Sequence, residues 1–302
     1  MRAELVEDAG ERARSAAFFR SEEFQRAEHV THSLVVEDRF AAGLIVREIP
    51  GGDGLLDASS AYGYPGAVVA AGPEPLDPRE VDWSGTGLVA AFLRDSIGGE
   101  PSLDGGTLRS EVQLVDPRAG IEVRSTHARH IRRNARLGYT TDESDDVAAF
   151  GELYRQTMVR TEAAQRYFFG DDYLAQVLSA AGALLLVTRA PGGSPAAGAI
   201  VAESDGMLHY FLGGTAEGLL EHSPFKSTVG AMIDLAADRD LPLNLGGGLA
   251  PGDPLEHFKR GFANDTAPFY THELVCDPAA YERLSAGREG ARGFFPLYRA
   301  PG

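Results

Sequence analysis

The chain has 302 residues, a formal net charge of −16 and one cysteine, Cys276. Its length predicts about two domains, each large enough to bury a core, and one cysteine excludes an internal disulfide framework or a cysteine zinc cluster. The acidic balance argues against a general nucleic-acid binder but leaves room for a local basic contact. Because the sequence shows neither a signal-peptide pattern nor a bilayer-length apolar run, we expect a cytoplasmic protein.

The first half of the chain predicts strands interrupted by short helices. We predict helices at 21–28, near 88–95 and at 127–137, the last one basic and ended by Gly138. Strands are predicted at 33–37, 44–48, 67–71, 111–115 and 121–124.

The second half shows the same plan more clearly. Helices are predicted at 147–160, 171–178, 228–238 and 254–260, and strands at 184–187, 198–202, 207–212, 243–245 and 269–275. This order predicts an α/β (α+β) fold, a mixed sheet flanked by helices. Because both halves follow one plan, we predict tandem domains at 1–140 and 141–276, with 277–302 as a candidate completion of the first.

Lys226 and Lys259 are the only lysines in a chain whose other positive side chains are arginines. A lysine kept in such a chain indicates a role that needs its compact, flexible ammonium. The alternative is that the two lysines survived by neutral drift. Lys226 lies in a Pro-containing loop before an apolar helix, and Lys259 follows the glycine run at 246–248. Both positions could therefore serve chemistry.

Three sequence elements, in order, resemble the Fem-type transferases. The basic run at 130–139, HIRRNARLGY, resembles the helix that joins the two domains of that family. The run YFLGGT at 210–215 resembles their central strand and its exit. LGGG at 245–248, followed by FKRGF at 258–262, resembles their glycine turn and Phe-Lys element.

The resemblance implies two tandem GNAT-like domains that transfer an amino acid from aminoacyl-tRNA to an amine, forming a peptide bond. Aminoacyl-tRNA would be the co-substrate, with no further cofactor. The best-known members extend peptidoglycan precursors, whereas shorter members modify peptide-like antibiotics. The chain lacks a long charged heptad stretch for a coiled-coil arm, which favours an acceptor-modifying role such as antibiotic biosynthesis.

Lys259 and Phe258 are the predicted catalytic residues. Aminolysis of an ester passes through a tetrahedral oxyanion, and one donor directed at that charge is worth about 3 kcal/mol in the transition state. In the family the matching Phe-Lys pair is associated with the transfer step. Alternatively, Phe258 and Phe262, four residues apart, form a core stripe while Lys259 is solvated on the other face.

Other side chains are candidates for substrate binding and proton transfer. Tyrosine combines a flat apolar face with a hydroxyl, which suits a pocket for a peptide or a nucleobase. The predicted substrate-binding residues are Tyr210, Tyr62, Tyr64, Tyr154, Arg160 and Lys226, of which Tyr154 and Arg160 rest on the resemblance. His209, His257 and Asp253 are candidate proton acceptors, and the acceptor's own carboxylate could act instead.

The basic helix carries four arginines with two interpretations: Arg129, Arg132, Arg133 and Arg136. They are the place where a tRNA acceptor stem could meet basic groups on an acidic chain. They could equally form a solvated face paired with the acidic run at 142–146. The sequence leaves both interpretations open.

Two other functions compete with aminoacyl transfer. An acyl-CoA-dependent GNAT N-acyltransferase would need a glycine-rich loop for the pyrophosphate, whereas the stretch 215–228 holds only Gly218 together with Pro224. A non-catalytic GNAT-pair binding module is the second competitor. We expect no metal site, no membrane contact and no stable protein partner.

Overall fold

The computed structural model describes residues 1–70, 75–98, 101–248, 250, 252–288 and 293–300. Contacts divide the chain into two units, Met1–Arg109 with Pro268–Gly302, and Ser110–Ala267. The sequence predicted 1–140 and 141–276 instead. The divisions differ because the basic helix packs inside the second unit, while most of the last strand pairs inside the first.

The first unit is a mixed sheet with two α-helices in its described residues. Numbered along the chain, its elements are β1 (Ala3–Val6), α1 (Glu22–Ala27), β2 (His32–Val36), β3 (Phe40–Glu48), β4 (Leu56–Ser60), β5 (Val68–Val69), β6 (Leu88–Arg94) and α7 (Pro278–Ser285). Residues 271–275 of β13 (Asp265–Val275) pair antiparallel with β6. The sheet order is β1-β2-β3-β4-β6-β13, in which β4 and β6 are parallel and β5 pairs with β3.

The second unit is a larger mixed sheet with helices packed on it. Strand β7 (Thr107–Val115) belongs to this unit from Ser110 onward. The other elements are α2 (Ser125–Leu137), β8 (Thr140–Glu143), α3 (Val147–Arg160), α4 (Asp171–Ser179), β9 (Ala183–Arg189), β10 (Pro195–Ser204), β11 (Met207–Thr215), α5 (Phe225–Arg239), β12 (Leu243–Gly246) and α6 (Pro254–Arg260). The order is β7-β12-β11-β10-β9-β8. Among the described strands of this unit, β11 and β12 are the parallel pair, and they pair through Leu208 with Leu243 and His209 with Asn244.

The core of the second unit holds the elements that carry the candidate site. On α5, one apolar face is buried against the sheet by residues at i, i+3, i+4 and i+7: Val229, Met232, Ile233 and Ala236. Phe262, just after α6, joins the same cluster with no exposed surface. Burial of these apolar side chains therefore fixes α5 and the end of α6 to the sheet of the second unit.

The predicted fold class is confirmed, since each unit is a mixed sheet flanked by helices. Helices α3 and α6 have the predicted bounds, and Gly138 ends α2 in the left-handed region at φ 91°. The helix predicted near 88–95 is wrong, because the segment forms β6. Its side chains are buried on both faces, so the sequence shows no period that separates a strand from a helix.

Other local predictions need correction. The strand predicted at 121–124 has no regular structure, and Ile121 is exposed there. The strand predicted at 67–71 shortens to β5, and its last residue lies outside the described residues. The prediction missed β1, β8 and α7, which are short elements at edges or termini, and the short β4, which lies between β3 and β6. Among the described residues, no helix is both long and apolar enough to span a membrane.

Candidate functional site

Lys259 lies near the end of α6, where the local sequence sets its position. Asp253 caps the helix by accepting the backbone N–H of Glu256 at 2.7 Å, and Pro254 occupies the first turn, where no hydrogen-bond donor is needed. The Lys259 side chain is only 8% exposed. Its Nζ donates to the carbonyl oxygen of Gly247 at 2.8 Å and lies 5.6 Å from the ring centre of Tyr210.

The glycine run before α6 makes this contact possible. Gly246 has φ +78°, a region that glycine enters without strain, and its N–H donates to Asn244 Oδ1 at 2.7 Å. A Cβ at Gly248 would lie 2.6 Å from Asp253 Oδ1. The turn therefore needs glycine both for its backbone and for the approach of the capping carboxylate.

Burial changes the proton equilibrium of Lys259. Desolvation disfavours the ammonium and lowers the pKa of Lys259 to about 8, while the negative charge of Asp253 opposes the shift. Near neutral pH the side chain is still mostly protonated. With one N–H bound to Gly247, it retains donors for a further acceptor. The alternative interpretation, a solvated Lys259, is therefore wrong.

Phe258 lies in an aromatic cluster next to Lys259. Its ring centre is 5.4 Å from those of Phe262 and His127 and 6.3 Å from that of Phe225. Phe225 is in turn 5.4 Å from Tyr210. Phe262 is fully buried, whereas Phe258, Phe225 and Tyr210 are only partly buried. The core-stripe interpretation therefore holds for Phe262, and Phe258 lies at the border of the core.

The three candidate proton acceptors differ in environment. His209 is buried, with Nε2 near Ser204 O at 3.3 Å and Nδ1 near Asn244 Nδ2 at 3.1 Å. Desolvation lowers its pKa to about 4, so its imidazole is neutral near pH 7, and both ring nitrogens already contact neighbouring polar atoms. His257 is exposed, with Nε2 2.8 Å from Arg124 Nη1. Of the three, Asp253 is the one whose charge acts on Lys259.

Lys226 lies in the first turn of α5 and contacts a residue that the sequence did not single out. Its Nζ is 2.5 Å from Nδ1 of His130 on α2. The backbone N–H groups of Lys226 and Ser227 donate to Ser223 O at 3.1 Å and Pro224 O at 2.9 Å. This end of α5 thus offers fewer free amides to an anion than an open helix N-terminus does.

The four arginines of α2 are exposed and, with Leu137, line an open surface pocket of about 480 Å³. Within the described part of the chain, none of the four forms an ion pair with the acidic run at 142–146. The acidic run therefore does not neutralise the charges of these four arginines. The solvated-face interpretation loses its proposed counter-charges.

The remaining predicted residues lie elsewhere. Tyr154 is 3% exposed, donates to Tyr167 O at 2.7 Å and stacks with Phe169. Arg160 Nη1 lies 3.4 Å from Thr215 O, at the end of β11. These contacts give Tyr154 a packing role in α3 and leave Arg160 at a strand exit.

Tyr62 and Tyr64 belong to the first unit. The N–H of Tyr62 donates to Glu28 Oε2 at 2.8 Å, and the Tyr64 ring meets those of Phe19 and Phe269 edge-on at 5.9 and 5.1 Å. Their loop is thus anchored within that unit. Their role in binding substrate stays a prediction.

His130, His127 and Phe225 were missed as members of the site by sequence reasoning. His127 and His130 were visible only as part of a basic run, and Phe225 as an apolar residue before a helix. Their significance comes from the packing of α2 against α5 and α6. A possible signal was the neighbouring positions of Phe225 and Lys226, which place an aromatic ring and an ammonium at one helix start.

Comparison with known proteins supports this architecture. Residues 122–260 match the model of the acetyltransferase (GNAT) domain family. A comparison with curated protein sequences gives no match.

Solved structures share the fold at low sequence identity. FemX has a TM-score of 0.56 at 11% identity, covering 80% of this chain and 88% of its own. L-PGS from Bacillus licheniformis has 0.57 at 12%, covering 85% and 87%. The C-terminal domain of a protein assigned as lysylphosphatidylglycerol synthetase from Agrobacterium fabrum has 0.57 at 15%, covering 89% of each chain. The resemblance to Fem-type transferases is thus confirmed at the level of the fold.

Proposed function

We propose that the chain is an aminoacyltransferase that moves an amino acid from aminoacyl-tRNA to the amine of a peptide or peptide-like acceptor. The GNAT match over residues 122–260 supports the broader class of acyltransferases. The finer assignment is supported by the buried Lys259 ammonium and by the arginine pocket on α2. Peptide antibiotics and peptidoglycan precursors both remain acceptor candidates.

The observation that carries the proposal is the placement of Lys259. Its ammonium is buried, anchored to Gly247 O and retains donors beside the half-buried Tyr210 ring. A cation held in a low-dielectric site, before the reaction begins, stabilises developing negative charge without reorganisation. Ester aminolysis generates such charge on the carbonyl oxygen.

The reaction balances without a metal or a redox cofactor. The neutral amine nitrogen attacks the ester carbonyl carbon, and the oxyanion that forms receives a hydrogen bond from Lys259. When the oxyanion collapses, the carbon–oxygen bond to the terminal ribose breaks, and the ribose oxygen takes the proton that the amine loses. Asp253, the acceptor's own carboxylate or solvent could relay that proton.

The arginine pocket supports tRNA as the donor. Arg129, Arg132, Arg133 and Arg136 lie on one helix and are exposed, on a chain whose net charge is −16. Phosphate contacts of this kind position a nucleic acid without reading its sequence. Placed on an acidic chain, they would favour one orientation of the acceptor stem.

An acyl-CoA donor is the competing assignment, favoured by the description of the matching family as an acetyltransferase domain. Against it, a helical turn at Glu217–His222 occupies the stretch before α5, and two amides at the start of α5 donate to nearby backbone oxygens. A pyrophosphate bound through helix N-terminal amides would find few available donors there.

Transfer assays separate the two donors. The protein is incubated with a pool of tRNAs charged with radiolabelled amino acids and a panel of peptide amines, with and without RNase. We expect labelled peptide that disappears when RNase is added first. Product from an acetyl-CoA or acyl-CoA pool, with none from charged tRNA, would reject the proposed donor and retain an acyltransferase. Ligand binding without turnover of either donor would favour the binding module.

A further inference from the structure

Two basic side chains on different helices meet at hydrogen-bond distance. Lys226 Nζ of α5 lies 2.5 Å from His130 Nδ1 of α2. Two fully protonated groups cannot hold this contact, because neither would offer a lone pair to the other. At least one of the two nitrogens is therefore unprotonated where they meet, and the free pair carries at most one positive charge.

The charged groups around this pair are positive. Burial and the nearby Arg129 lower the pKa of Lys226. Partial burial, Lys226, Arg129 and Arg133 lower the pKa of His130. Protonation of both groups at once is therefore unfavourable unless a negative charge binds beside them.

Neighbouring titratable groups do not supply that negative charge. His127 on α2 is 6% exposed, its Nδ1 has no hydrogen-bond partner among the described residues, and its pKa is lowered first by burial. In the turn before α5, the exposed Glu221 pairs with His222 at 3.2 Å. Among the described residues, the charges that act on the pKa values of Lys226 and His130 are therefore all positive.

We propose that Lys226 and His130, flanked by Arg129 and Arg133, form a phosphate subsite that takes up a proton when a phosphate binds. The free pair holds one proton. A bound phosphate lets both groups become cations, so one proton passes from solvent to the pair and both nitrogens turn their donors to phosphate oxygens. Under the proposed function, on which the source of the ligand rests, the phosphate belongs to the acceptor end of tRNA.

Proton uptake gives the subsite a characteristic pH dependence. Where the free pair already holds two protons, binding takes up none. Above that range, uptake approaches one proton, and Kd rises about tenfold for each pH unit. A patch of arginines alone would take up no proton, because arginine stays protonated throughout, and its pH dependence would come only from the titration of the phosphate itself.

Calorimetry with inorganic pyrophosphate measures the effect without catalysis. Titrations at one pH, in two buffers of different ionisation enthalpy, count the protons taken up. Because pyrophosphate also titrates, the difference between proteins is what counts: we expect the wild-type protein to take up as much as one proton more than either Lys226→Met or His130→Gln. Arg239→Gln removes one positive charge at the other end of α5, where Arg239 pairs with Glu203 at 2.8 Å, and should retain the uptake.

The outcomes are separable. Pyrophosphate binding without proton uptake, or uptake unchanged in both variants, would overturn the subsite whatever the transfer assay shows. The source of the phosphate is tested with an RNA oligonucleotide ending in CCA and with coenzyme A. Uptake with the RNA supports both the subsite and the proposed function, whereas uptake with coenzyme A alone supports the subsite and rejects tRNA as the donor.

Discussion

The carboxylate of Asp253 caps the helix that carries Lys259, and its charge opposes the loss of the lysine's proton. One acidic residue therefore has two effects on the candidate catalytic group, one geometric and one electrostatic. The two effects can be separated by substitution, because asparagine retains the capping oxygen and removes the charge.

Replacement of Lys259 should abolish transfer without loss of the fold. Methionine has a similar length and no charge, so Lys259→Met removes the donor to the oxyanion, and we expect kcat to fall by about 100- to 1000-fold. The rate is measured with charged tRNA and a peptide amine, and the fold is checked by thermal unfolding. A variant that folds and retains activity within a few-fold of wild type would remove Lys259 from the mechanism.

The pH profile of transfer should fall on its alkaline side near pH 8. Lys259 must be protonated to stabilise the oxyanion, and its pKa is lowered to about 8, so the active fraction decreases as the pH rises through that value. In Asp253→Asn the opposing charge is gone, and the alkaline limb should move to lower pH. If the alkaline limb of Asp253→Asn lies at the same pH as that of wild type, the limb does not reflect the titration of Lys259.

The free energy of unfolding should depend on the same buried lysine, but it should rise with pH where the transfer activity falls. The folded-state pKa of Lys259 lies below its ordinary value of 10.5, so the unfolded chain binds more protons between about pH 8 and 10.5 and wild-type stability rises across that window. Lys259→Met lacks this contribution. The stability of wild type relative to Lys259→Met should therefore rise by as much as roughly 1.4 kcal/mol per pH unit there. Urea unfolding at several pH values measures the difference, which should be constant for Arg239→Gln.

The arginine pocket should determine the salt dependence of tRNA binding. Replacing Arg132 and Arg136 together by glutamine removes two phosphate contacts, and the slope of log K against log salt should fall by about 1.5. The matched control is a double variant of Arg155 and Arg239, exposed arginines that each pair with a glutamate. If both double variants change the slope equally, the effect is one of net charge.

The close approach of two backbone segments at Gly214 predicts that an added methyl group there lowers the stability of the fold. A Cβ at Gly214 on β11 would lie 2.4 Å from the carbonyl carbon of Leu153 on α3, and backbone atoms cannot move aside as a side chain can. Gly214→Ala should therefore destabilise the protein by about 2 kcal/mol or more. Gly218→Ala, where a Cβ meets no atom within 4 Å, should change stability little. Chemical denaturation of the two variants tests the comparison.

The local sequence predicted the second unit best because its signals are strong. Residues 147–160 have a clear helical period, and Asp253 with Pro254 marks a helix start. The segment 88–95 failed because a strand buried on both faces has no polar side to reveal its period. Short strands such as β8 depend on a neighbouring strand for their hydrogen bonds, and the four residues 140–143 carry no local sign of their pairing with β9.

The candidate site was predictable in part. Lys259 and Phe258 were found because a known motif and the chemistry of ester aminolysis point to the same residues. The contact of Lys226 with His130 joins residues 96 positions apart on two helices, and no local pattern encodes it. Tyr154 was predicted through the resemblance alone, and its burial and its hydrogen bond to Tyr167 O are likewise not encoded in the local sequence.

The first unit draws its residues from both sides of the second, with Met1–Arg109 before it and Pro268–Gly302 after it. During synthesis, residues 1–109 leave the ribosome long before β13 is available to pair with β6. The continuous second unit can complete its own sheet in that interval. The first unit is therefore expected to be completed last, when β13 and α7 add to a sheet whose other strands all lie within residues 1–109.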